Sequence, residues 1–174
     1  IFNAQTATGI SVKEYASYAD TITFCLSKGL GAPIGSIICG TKEFIGQALT
    51  VRKMLGGGMR QAGFMAAAGV TALNSMVDRL AEDHENAKLL ARGLRDIGFD
   101  VNVNMVQTNI VFVDVASMKM SPSGLAEALR SRGVIVNMPG ANGRIRFVTH
   151  YGISAEDIEY ALVVIRDALS PSGR

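Results

Sequence analysis

Tryptophan is absent from the 174 residues, aromatic residues make up 6% of them, and there are only two histidines, two cysteines and four prolines. Cys25 and Cys39 lie inside apolar runs, without the spacing of metal ligands. A pair of buried thiols in a reducing compartment is therefore expected, rather than a disulfide framework or a metal site. Charge of one sign is lacking as well. Lys and Arg number 17 against 15 acids, a net +2, and no basic run gives nucleic acid or an anionic membrane a footing. No apolar stretch reaches the roughly 18 residues that cross a bilayer, and no charged-then-apolar leader opens the chain. A soluble, cytoplasmic setting is expected.

What is present suffices for a packed core. Hydrophobic residues are 48% of the chain, with a mean hydropathy of +0.25, which argues against disorder. The stretch that organises the rest is Thr21-Ile-Thr-Phe-Cys-Leu-Ser-Lys-Gly-Leu-Gly-Ala-Pro-Ile-Gly-Ser36. A β-branched apolar run stops at Ser27-Lys28-Gly29, and a second apolar run begins at Ile37. Lys28 thus sits where a strand ends and a glycine loop begins. A lysine so placed loses hydration, which frees its amine as a nucleophile. The plain alternative is a surface lysine in a turn. The glycines fit neither a dinucleotide fingerprint, because the third is displaced and Pro33 interrupts the helix, nor a Walker loop, because no Gly-Lys-Ser/Thr follows.

Two other places carry chemistry. Lys53 and Arg60 flank Gly56-Gly57-Gly58, and a glycine loop between two cations can offer N–H groups and charge to a phosphate. On fold reasoning alone, a solvated loop with two surface cations is the preferred reading. Arg144-Ile-Arg-Phe-Val148 alternates, with Arg144 and Arg146 on one strand face and Ile145 and Phe147 on the other. The fork of Arg146 suits a carboxylate; the competing reading pairs it with a nearby acid. Arg144 is assigned to the surface. His84 and His150 are left unassigned, and Thr108-Asn109 borders a strand without a spacing that gives it a role.

The remaining chain reads as short α and β elements. Capping patterns at Ser11, Ser121-Pro122 and Ser154 predict helices to about Ala19, Arg132 and Leu169. Helices are also expected over 42–54, from 62 onward and over 84–97, the last stopped by Gly98. Strands are expected over 34–39, 99–103, 109–115, 134–136 and 144–148. Met59, Met65 and Met76 read as core or interface filler.

Ser27-Lys28-Gly29-Leu30-Gly31-Ala32-Pro33-Ile34-Gly35-Ser36, Arg52-Lys53-Met54-Leu55-Gly56-Gly57-Gly58-Met59-Arg60-Gln61 and Arg146-Phe-Val-Thr-His150 occur in the order found in the threonine aldolases, which the chain resembles along essentially its whole length. These are fold-type I enzymes that use pyridoxal 5'-phosphate (PLP). The resemblance implies an α/β fold. Residues 1–77 form the C-terminal part of a PLP-binding, aspartate aminotransferase-like large domain, and 78–174 a small α/β sandwich. It implies that Lys28 is the Schiff-base lysine, that Lys53 and Arg60 lie near the cofactor phosphate, partly across a subunit boundary, and that Arg146 grips the substrate α-carboxylate. The reaction implied is cleavage of L-threonine or L-allo-threonine to glycine and acetaldehyde, in a homo-oligomer, a dimer or a tetramer. The family's pyridine-nitrogen acid, stacking ring and phosphate serine fall upstream of residue 1 in family order. The chain thus reads as the C-terminal half of a subunit, incomplete as a catalyst alone. Two alternatives stay open: another fold-type I enzyme, such as a β-eliminating lyase or transaminase, and a truncated, non-catalytic remnant that partners a full-length subunit.

Overall fold

The structure, a computed structural model, describes residues 1–115, 120–137 and 144–170. Contacts divide the chain into two compact units, Ile1–Leu80 and Ala81–Arg174.

In the first unit, α1 (Phe2–Thr8) and α2 (Val12–Ala16) precede a hairpin of β1 (Ile22–Cys25) and β2 (Ser36–Cys39), followed by α3 (Lys42–Met54) and α4 (Gly63–Ser75). The hairpin is antiparallel, in register from Ile22↔Cys39 to Cys25↔Ser36. Ser11 caps α2 as its spacing predicts, accepting from the Glu14 N–H. The helix stops at Ala16, short of Ala19, because the Ser17 hydroxyl takes the Glu14 carbonyl at 2.7 Å and closes a turn. Thr41 caps α3 through the Phe44 N–H. The core is small: Leu26, Leu30, Ala32, Ala72 and Leu80, with Phe2 and Phe24 packed at its edge as a T-shaped ring pair. The cysteines are less covered than expected, Cys25 being half-buried and Cys39 exposed. Met59 and Met65 are likewise exposed, while Met76 packs against the core.

The second unit holds most of α5 (Leu80–Ile97), then β3 (Ile110–Asp114), α6 (Pro122–Arg130), β4 (Arg144–Val148) and α7 (Ala155–Leu169). Strands β3 and β4 pair antiparallel from Ile110↔Val148 to Asp114↔Arg144. Val111, Val113, Ile145 and Phe147 are buried, while their alternate neighbours are not, so the helices lie on one face of the ladder. Ala87, Leu90, Ala91 and Leu94 of α5, Leu125 and Leu129 of α6, and Ile158, Val164 and Ile165 of α7 complete this core. Burying each large aliphatic side chain contributes about 1.5–3 kcal/mol. The last helix opens with a reciprocal capping box between Ser154 and Asp157.

Two expected strands do not form. Over 99–103 only an isolated bridge, Asp100↔Asp114, remains, because the Asn102 side chain accepts the Asn104 N–H and starts a 3-10 turn at Val103–Met105. At 134–136 the Val134 N–H turns back to the Leu129 carbonyl at the end of α6, and the segment joins no ladder among the described residues.

Candidate functional site

Lys28 follows β1 directly. The Leu26 N–H bonds the Gly35 carbonyl at 2.9 Å, the Ala32 N–H returns to the Leu26 carbonyl at 3.0 Å, and the Gly31 N–H reaches the Lys28 carbonyl at 2.8 Å. Leu26 and Leu30 are buried while Ser27 and Lys28 are exposed, so the loop is pinned from within and turns its amine outward. Gly31 adopts φ 70°, and an added Cβ there would stand 3.2 Å from Cε of Met76. A Cβ on Gly29 would meet Leu80 Cδ2 at 3.0 Å. The loop thus requires glycine both for its turn and for its seat on the core. The expected loss of hydration at Lys28 is not supplied by this unit, since the flanking apolar residues turn inward. Among the described residues no acid pairs with the Lys28 amine.

Lys53 lies in the last turn of α3. The helix is closed by Gly56, at φ 77°, and by the Gly57 N–H bonding the Arg52 carbonyl at 2.8 Å. Arg60 stands before α4, and every residue from Leu49 to Phe64 is exposed. Leu55 is 81% and Phe64 90% exposed, so the two cations sit within uncovered apolar surface.

Arg146 is in the middle of β4, on the exposed face, with Phe112 of β3 as its partner in the register. Arg144 on the same face lies 3.9 Å from Asp114, whereas Arg146 has no acid partner among the described residues. Arg146, Val148 and His150 border an open cavity of about 660 Å³ that also touches Val134–Asn137 and Tyr160. His150 donates from Nδ1 to the Tyr151 carbonyl at 2.7 Å, which leaves Nε2 without that proton in the neutral ring.

A buried polar cluster beside β4 has no counterpart in the sequence reading. Asp83, His84, Asn86, Asn109 and Thr149 are all buried. Burial lowers the pKa of His84, Asp83 opposing and Lys88 assisting. The available signal was faint: polar residues at positions 83 and 86, on the same stripe as Ala87 and Leu90. Among the described residues no group of three or more His, Cys, Asp or Glu gathers for a metal, and no helix is long and apolar enough to cross a membrane.

A lysine-bearing glycine loop after a strand and a cationic glycine turn lie in the first unit and a strand arginine in the second, and the elements together are those of a mixed α/β protein. Residues 1–118 match the beta-eliminating lyase family, and the chain belongs to it. It is 45% identical over 158 residues to the low specificity L-threonine aldolase of Escherichia coli K12, covering 91% of this chain and 45% of that protein. It is 43% identical over 171 residues to low-specificity L-threonine aldolase 1 of Arabidopsis thaliana, covering 97% and 48%. Its fold matches that of the Sphingomonas wittichii serine palmitoyltransferase with a TM-score of 0.72 at 23% identity, over 92% of this chain and 43% of that one. The chain spans about half the length of the curated relatives it matches.

Proposed function

We propose that this chain supplies the lysine- and arginine-bearing half of a PLP-dependent aldehyde-lyase that cleaves L-threonine and L-allo-threonine to glycine and acetaldehyde. The observation that carries the reading is the 45% identity to an L-threonine aldolase over 91% of the chain, with all three motifs inside it. The residues present fit the cofactor. Lys28 offers an exposed primary amine with no acid partner among the described residues, on a loop whose backbone is fixed. Lys53 and Arg60 bracket a glycine turn with cations that have no acid partner among the described residues and suit a phosphate. Held there, the cofactor would supply an electron sink for bond cleavage at Cα. Lys28 would hold the cofactor through its amine and, with that amine free, would move a proton at Cα. Arg146 anchors the α-carboxylate and so selects which Cα bond is aligned for cleavage.

The division at 77/78 into cofactor and small domains is supported by the separation of contacts near Leu80. Assembly into a homo-oligomer is supported by the exposure of Leu55, Met59 and Phe64, three large apolar side chains close together in sequence. Two cysteines free of any disulfide agree with a reducing cytoplasm.

The test is reductive trapping. The chain is mixed with PLP and reduced with borohydride, and the labelled peptide is mapped. Label confined to Lys28 supports the assignment; label spread over many lysines means that the chain alone does not form the pocket, and a Lys28→Ala enzyme that cleaves at the parental rate overturns the assignment. In the enzyme completed by its other half, Lys28→Ala abolishes aldol cleavage. Acetaldehyde with glycine as products supports the aldolase, whereas a keto acid with ammonia would assign a β-eliminating lyase instead.

A further inference from the structure

The end of β4 is locked by three hydrogen bonds that converge on one residue. The Thr149 N–H donates to the Asn109 carbonyl at 3.0 Å. The Asn109 side-chain amide donates to the Thr149 carbonyl at 2.9 Å. The Thr149 hydroxyl donates to the Asp83 carbonyl in the first turn of α5 at 2.6 Å. Thr149 is 2% and Asn109 9% exposed, so these bonds form away from water, where an unmade one is costly.

The strand pattern says what the lock acts upon. Because Thr149 bonds across to Asn109, alternation along the antiparallel ladder turns the N–H and C=O of Phe147 and Ile145 toward β3 as well. The backbone groups of Arg144, Arg146 and Val148 then point to the opposite edge of β4, where no ladder partner exists among the described residues. Among the described residues, the backbone of Arg146 is therefore held only through its neighbours in the chain. The Thr149 rung, three residues away, is where β4 would otherwise fray.

We propose that Thr149 and Asn109 are positioning residues for Arg146: by closing the last rung of the ladder and tying it to α5, they hold the guanidinium where a carboxylate is captured. The inference rests on the reading of Arg146 as the carboxylate anchor. Both are assigned to act through β4, Thr149 from the wall of the cavity that Arg146 also borders.

The experiment uses the PLP-loaded enzyme that contains this chain, with T149V, T149S, N109A and R146A compared by steady-state kinetics and by amide hydrogen exchange at Phe147 and at position 149. T149V is expected to speed exchange at both amides and to raise KM for L-threonine about three- to tenfold, the span that loss of one hydrogen bond gives, with kcat nearly unchanged. T149S, which keeps the hydroxyl, restores both values. If T149V does not fold, N109A, which removes only the side-chain donor, is expected to give the same pair of effects. Faster exchange with an unchanged KM would overturn the proposal and leave the lock as a purely structural device. An R146A enzyme with an unchanged KM would instead remove the carboxylate role of Arg146, and the positioning role with it.

Discussion

Phe112 and Arg146 stand directly opposite each other across β3 and β4, in a pair whose backbone groups point away from one another. Such pairs bring the Cα atoms to roughly 4.5 Å, the closest approach in an antiparallel ladder. Phe112 is 56% exposed, so its ring is spent on the open face, beside the arginine stem, and not on the core.

Phe112→Ala is accordingly expected to change unfolding free energy by less than about 1 kcal/mol, the scale of one cross-strand pair. In the completed enzyme it is expected to raise KM for L-threonine by about two- to fivefold, since a pair of that energy orders the arginine by a comparable factor. Urea unfolding beside steady-state kinetics separates the two. A large loss of stability would place Phe112 in the core.

Gly31→Ala tests the seat of the lysine loop. Holding a side chain at φ 70° costs about 1–2 kcal/mol, and the 3.2 Å approach to Met76 adds to that unless the methionine end shifts. The variant is expected to unfold earlier in urea and to label Lys28 less selectively with PLP. Gly31→Asn, which tolerates this backbone region better, is expected to fall between.

Gly93→Ala opposes two effects. A methyl in the helix interior gains about 1 kcal/mol of propensity. The added Cβ runs into the Leu162 side chain of α7, however, and overpacking costs about 1–3 kcal/mol. Net destabilisation is expected, and a second change, Leu162→Ala, is expected to relieve part of it. Additive losses in the double variant would mean that the two helices do not meet at this point.

His84 makes the fold sensitive to mild acid. Its pKa is lowered from 6.5, chiefly by burial, so the unfolded chain takes up a proton that the folded chain resists. Its contribution is fully present above pH 6.5 and is lost as pH falls from there through the folded-state pKa. The slope is at most about 1.4 kcal/mol per pH unit for one proton. Urea midpoints between pH 7.5 and 5 are expected to fall for the natural chain and to flatten in His84→Gln.

The parts legible in the sequence are those that obey local rules. Ser154 announces its capping box, Gly98 ends α5 with positive φ, and the alternation of Arg144 to Val148 is visible in burial. Elements that depend on distant partners were not legible. A strand at 134–136 needed a ladder that the Val134 N–H forgoes by bonding Leu129. The exposure of Lys28 was hidden too, because apolar neighbours in sequence say nothing of which way a side chain points. The polar lock joins positions 40 and 66 residues apart, a separation at which no spacing rule speaks.

Strand β4 carries two unrelated inscriptions in five residues. Ile145 and Phe147 are written for the core, while Arg144, Arg146 and Val148 are written for the exposed face. A saturation library across 144–148 should therefore sort by parity: one set of positions governs how much protein accumulates, the other what that protein binds. The exposed set can be altered while the hydrophobic layer beneath keeps its composition.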